Sequence, residues 1–158
     1  MTQYKAISKL TSDAKLREIF ESNVLGIRDE VLKSMAEEIA MRSAATVDTG
    51  TYARGHRVAQ RSGSFQPTDS SHGKPRHVEA GPPKQDGLDA MMAGINNLPP
   101  DAKNVVFRNT AVHAKYVESI GWENADPPKK PYRIYASVRN NFNNHVNDAL
   151  AKLGLKIR

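Results

Sequence analysis

The chain has 158 residues, 39% of them hydrophobic, with a mean hydropathy of −0.60 and no cysteine. The missing cysteine excludes a disulfide scaffold, a thiolate zinc or iron–sulfur site and a cysteine nucleophile. Twenty-three Lys and Arg against seventeen Asp and Glu leave a formal charge of +6, a balance that suits an anionic partner or a charge-complementary protein face. The opening MTQYKAISKL holds no apolar run, and nowhere do about 18 apolar residues run together. Neither a signal peptide nor a membrane-spanning segment is therefore expected, and the length predicts one domain, residues 1–158.

Ser12 and Asp13 make a credible helix start. From there Leu16, Phe20, Val24, Ile27, Val31 and Met35 recur at steps of three and four, joined by Leu32, Ala36 and Ile39. That spacing predicts one amphipathic helix of about seven turns, with Glu18, Glu21, Arg28, Asp29, Lys33 and Glu37 facing water and Gly26 as a place where it could kink. The pattern stops at Ala44 and Ala45, and Val47-Asp48-Thr49-Gly50 reads as a turn. Thr51 to Gln60 predicts a strand. Residues 61–84 carry a single aromatic, Phe65, amid Ser, Gly and Pro, a composition that predicts a long exposed loop. A short helix follows on Leu88, Met91, Met92, Ile95 and Leu98, ended by Pro99-Pro100, with the two methionines as core or interface padding.

Asn104 to Asn109 is the best strand by β-branched and aromatic content. Val112 to Ile120 reads equally as strand or helix, closed by Gly121; Glu123 to Lys130 is a Pro-rich loop. From Arg133 a final helix places Tyr135, Val138, Phe142, Val146, Ala149 and Leu153 on one face, Gly154 stops it, and 154–158 form a basic tail. The plan is α+β: a long N-terminal helix and a C-terminal helix packed on a small, mostly antiparallel sheet, with long polar loops.

Charge is uneven along the chain. Residues 1–50 carry seven positive and eight negative charges, residues 51–80 five and two, and residues 133–158 five and one. No run of Lys and Arg reaches four, so specific nucleic-acid recognition is not expected; non-specific phosphate binding by the 51–80 and C-terminal segments is the alternative, and it would fall steeply with salt. His72, His77 and Glu79 could offer nitrogen and oxygen ligands to a metal, as in a small hydrolase or nuclease, but a Gly/Pro-rich loop fixes no geometry for them. His56, His113 and His145 stand alone in sequence and read as surface or interface residues. There is no G-x-S-x-G, Walker loop, G-x-G-x-x-G or H-E-x-x-H. Asp48 and Glu118 could form a carboxylate pair, with capping or ion pairing as their structural alternative. Neither catalytic residues nor a cofactor or metal are expected. Trp122, the single tryptophan, is either an anchor at a subunit interface or the edge of the core.

Two segments stand out together: Val47-Asp48-Thr49-Gly50-Thr51-Tyr52-Ala53-Arg54 after the long helix, and Asn109-Thr110-Ala111-Val112-His113-Ala114-Lys115-Tyr116-Val117-Glu118-Ser119-Ile120-Gly121. The chain thereby resembles the tail-completion, neck or head–tail joining proteins of long-tailed bacteriophages, whose helix ends in a V-D-T-G-x-L-like turn and whose later strand ends in N before a Y-A-x-Y-V-E-x-G-like segment. Asp48, Thr49, Gly50, Asn109, Ala114, Tyr116, Val117, Glu118 and Gly121 match that pattern. Thr46 stands where the family has proline, Tyr52 where leucine is common and His113 where it has an aromatic, and the 61–84 loop is longer and more polar. The resemblance implies a non-enzymatic virion protein, assembled in the host cytoplasm, that forms a six-fold homo-oligomeric ring at the neck or upper tail. Its partners would be the tail terminator, tail tube or head connector, and the terminator and connector roles themselves are the alternatives within the neck. Ring subunits need two different complementary faces, and Arg54, Arg57, Arg61, Arg133 and Arg139, with Trp122, are the candidate interface residues.

Overall fold

A computed structural model describes residues 13–44, 51–61, 63, 65, 81–121, 128 and 130–155. Helix α1 (Asp13–Ser43) runs unbroken through Gly26. It is rich in good helix formers, and Glu30–Lys33 and Glu38–Arg42 pair along its surface at 3.0 and 2.6 Å. Its first buried residue among those described is Val31. From there Leu32, Ala36, Ile39 and Ala40 enter the core. Among the described side chains the expected stripe is therefore buried only in its second half: Phe20 and Val24 are exposed, because no described element lies over that end.

The Asp48-Thr49-Gly50 turn and Thr46 lie outside the described residues. The strand expected over 51–60 is corrected. Thr51–Arg54 form a helical turn, α2, closed by the Gly55 N–H donating to the Tyr52 carbonyl at 3.0 Å, and only His56–Gln60 form strand β1. The turn aims Tyr52 and Ala53 into the core, which an extended backbone alternating its side chains would not do. Strand β1 pairs antiparallel with β2 (Val105–Asn109), His56 opposite Asn109 and Gln60 opposite Val105. This two-stranded ribbon is the whole sheet among the described residues.

Helix α3 (Gly81–Asn96) begins inside the span expected to be loop. Pro82 and Pro83 occupy its first turn, where a missing N–H breaks no helical bond. Met91 and Ile95 face the core, and Leu88, Met92 and Leu98 pack against it. On the same side, Gly87 and Gly94 let α3 lie directly on backbone: a Cβ at Gly87 would stand 1.9 Å from the Ala53 carbonyl oxygen, and one at Gly94 2.3 Å from that of Val58. Arg28 then ties α1 to the turn after α3, its guanidinium donating to the Pro99 and Pro100 carbonyls at 3.1 and 3.2 Å.

After β2 the chain coils into a π-helical segment, Tyr116–Ile120, so the ambiguous 112–120 stretch is helical at its end. Gly121 terminates it with φ 77°, ψ −164°, a backbone state that favours glycine. The final helix is two helices, a further correction: α4 (Ile134–Asn140) and α5 (Phe142–Lys152), parted at Asn141 with φ −89°, ψ 7°. Asparagine is a weak helix former, and the Asn141 amide is drawn to Glu38 at 2.9 Å. The buried face runs on across the division, with Ile134, Val138, His145 and Ala149 following at steps of four, seven and four. His145 and Ala149 point inward from α5, whereas Phe142 and Leu153, expected inside, are exposed. The architecture is mixed helix and sheet: α3 packs on the short ribbon and on α1, and α1 also packs against α4 and α5.

Candidate functional site

The centre of polar interaction is His56, fully buried with Ser43 at 0% exposure. The Ser43 hydroxyl donates back along α1 to the Ile39 carbonyl at 2.6 Å. Its proton being so placed, the oxygen accepts from His56 Nε2–H, also at 2.6 Å, and His56 Nδ1 accepts from the Tyr135 hydroxyl at 2.7 Å. The rings of Tyr52 and Tyr135 meet the imidazole edge-on, with centroids 5.0 and 5.7 Å away. Burial, with the Arg57 charge adding to it, pushes the His56 pKa down to about 3, so the ring is neutral.

Beside this chain lies a second one. The Tyr52 hydroxyl donates to one oxygen of Glu118, and the other oxygen accepts the Tyr135 N–H at 3.2 Å. Asn109 gives its amide to the Tyr52 carbonyl at 2.8 Å and takes the Ala111 N–H at 2.9 Å. Burial first, and the Glu118 carboxylate second, push the Tyr52 phenol far above its usual range; Tyr135 is raised by the same two causes. Six elements meet here: the end of α1, α2, β1, β2, the π segment and α4. A Ser–His contact with both partners at zero exposure, and the hydroxyl proton turned to a carbonyl, cannot meet a substrate. Its consequence is registry of the elements.

A second cluster joins α1 to α5. Ser34 Oγ is 2.8 Å from His145 Nδ1, and His145 Nε2 is 2.8 Å from Glu38 Oε2, off the line of a directed hydrogen bond. Burial opposes the Glu38 charge, but hydrogen bonds from Arg42 and Asn141 hold its carboxyl below the ordinary value. Serine, histidine and carboxylate thus line up, yet Ser34 sits in mid-helix, where neighbouring N–H groups are already bonded and no oxyanion donors remain. The cluster clasps two helices. His56 and His145 are accordingly buried, not surface residues, which corrects the expectation; His113 is half-buried, 6.5 Å from the Tyr52 ring.

Of the family-pattern residues, Asn109 and Glu118 belong to the buried network, Val117 is core and Ala114 packs on it. Tyr116 is exposed under the Lys115 ammonium, 5.1 Å away, and Gly121 ends the π segment. Of the arginines, Arg54 pairs with Asp86 at 2.9 Å, and Arg57 donates to the Arg54 and His56 carbonyls at 2.6 and 2.8 Å. Arg61, Arg133 and Arg139 are exposed, Arg133 in the left-handed region at φ 52°, ψ 45°. Trp122, His72, His77, Glu79 and Asp48 lie outside the described residues. Among the described residues no three His, Asp or Glu side chains gather to hold a metal, and no helix is long and apolar enough to cross a membrane. Sequence reasoning missed Ser34, Glu38 and Ser43. The signal was the four-residue spacing of Ser34–Glu38 and Asn141–His145, which puts each pair on one helix face. Compared with protein families, curated proteins and solved structures, the chain has no match in any of the three.

Proposed function

We propose that this chain is a non-enzymatic structural protein of a bacteriophage neck, a ring subunit that completes the tail or joins it to the head connector. The observation that carries the reading is that the two segments on which the resemblance rests, some sixty residues apart, close on each other. The Tyr52 hydroxyl of the first meets the Glu118 carboxylate of the second, and the Asn109 amide meets the Tyr52 carbonyl. The motif residues thus act as a brace, and the polar clusters that imitate catalytic groupings are consumed in holding elements together. Tyr52, a departure from the family pattern, supplies the half-buried Glu118 with a donor that leucine would not.

Electron microscopy of phage particles with gold-labelled antibody against this protein tests the reading. Label at the head–tail junction is expected; mature particles without label, from lysates in which the protein is present, would overturn it. Reversing Arg61 and Arg139, both exposed, is expected to block joining with the circular dichroism unchanged. Arg57 is less suited to that experiment because it holds carbonyls of its own chain.

A further inference from the structure

Two apolar surfaces of this chain lie uncovered on separate elements. The first is the projecting start of α1, where all eight residues from Arg17 to Val24 are exposed, Phe20 at 69%. Ile19, Phe20 and Val24 continue the stripe that is buried farther along the helix. The second surface lies around the π segment: Tyr116 and Ile120 stand four apart within it, close to one π-helical turn, so they share a side, and Val112 (73% exposed) lies in the turn that leads into it. Tyr132 is drawn to the same segment by its N–H donating to the Val117 carbonyl at 2.7 Å, and it too is exposed.

Their charges are complementary. The described charges on the α1 arm are Arg17, Glu18 and Glu21, all exposed. Flanking Tyr116 and Tyr132 along the chain, the exposed described charges are Lys115, Lys130 and Arg133, while Glu118 is turned inward to Tyr52 and the Tyr135 N–H. An acidic-leaning apolar helix is covered by none of the described residues of its own chain, and a basic-rimmed apolar patch lies open on another element. We propose that the α1 arm of one copy docks on the Val112–Tyr116–Ile120–Tyr132 surface of a second copy. The contact joins two unlike patches, so it is heterologous and propagates head to tail, as a ring requires. Aromatic and aliphatic anchors inside a charged rim fit the energetics of such contacts.

The inference deepens the ring of the proposed function and rests on it, but it is tested in solution, apart from the virion. Phe20→Arg alters only the arm and Ile120→Arg only the patch; both sites are exposed, and circular dichroism and melting temperature check that each variant folds. Sedimentation velocity on the full chain is expected to show assembly of the wild type and self-association weakened about tenfold or more in each variant. An equimolar mixture of the two is expected to give a two-chain species and nothing larger, because it retains one intact arm and one intact patch. A monomeric wild type at the highest soluble concentration overturns the proposal. So does an Ile120→Arg protein that still assembles, as in arm-to-arm pairing, or a mixture that stays monomeric. Unlabelled virions with complementing variants would overturn the neck reading alone; labelled virions with variants that assemble normally would overturn this contact alone.

Discussion

Acidifying the protein from pH 7 to pH 5 should weaken its fold through His56, and the size of the effect follows from the burial of that ring. In the unfolded chain the imidazole titrates near 6.5; in the fold it is held down to about 3 by burial, with Arg57 adding to it. The folded state therefore binds fewer protons, so the stability carried by neutral His56 is whole above pH 6.5 and is lost as pH falls below it. Integrating between the two values, the loss from pH 7 to pH 5 is about 2 kcal/mol, approaching ~1.4 kcal/mol per further pH unit until the folded pKa is reached. Neutrality is enforced by the partners as well: Nδ1 is occupied by the Tyr135 hydroxyl, and a proton there would displace it. Urea unfolding followed by circular dichroism at several pH values, on the wild type and on His56→Gln, isolates the group, since every other titrating side chain is common to both. The wild-type stability is expected to fall about 2 kcal/mol more than that of the variant over this interval. Parallel pH dependences would refute the buried, neutral assignment.

Three further outcomes follow from packing and charge. Gly94→Ala places a methyl 2.3 Å from the Val58 carbonyl oxygen, where backbone must move, and should cost roughly 1–3 kcal/mol in thermal unfolding; Gly26→Ala, which meets the two Leu153 methyls at 3.8 and 4.0 Å, ordinary contact, should be neutral or stabilise by up to ~1 kcal/mol, and equal effects would contradict the geometry. Tyr52→Phe leaves Glu118 without its phenolic donor and should cost about 1–3 kcal/mol in denaturant unfolding, a loss that an unchanged midpoint would disprove. The Glu38 carboxyl is held below its ordinary 4.5, so it stabilises above that pH and ceases to as acid protonates it in the fold; Glu38→Gln should flatten this acid limb of the stability curve, and an unaltered limb would count against the clasp.

Helix periodicity made α1 and α3 legible, because apolar side chains at steps of three and four have one efficient way to be buried together. β2 was legible from Val105, Val106 and Phe107, and the end of α3 near Pro99-Pro100 from the proline's missing donor. Local pattern failed where a distant partner decided the conformation. Tyr52 sits in a helical turn rather than a strand because its hydroxyl has Glu118 to reach, sixty-six residues away in sequence. The last helix divides at Asn141, whose side chain turns to Glu38, and α5 buries His145 rather than Phe142 because the imidazole has Ser34 and Glu38 of α1 to meet.

Composition and spacing by themselves determined the helix-rich α+β plan and the absence of thiol chemistry, since both depend on residue type and short-range order. Only the tertiary structure decided the place of the histidines: whether an imidazole is a surface group or a buried strut depends on which atoms surround it, and Ser43, Tyr135 and Glu38 reach theirs from other elements. The same holds for the apolar stripe of α1, whose sequence is uniform from Leu16 to Ile39 while its burial, among the described side chains, begins at Val31. Periodicity states that a face is apolar; where the fold ends determines which part of that face is left for a partner.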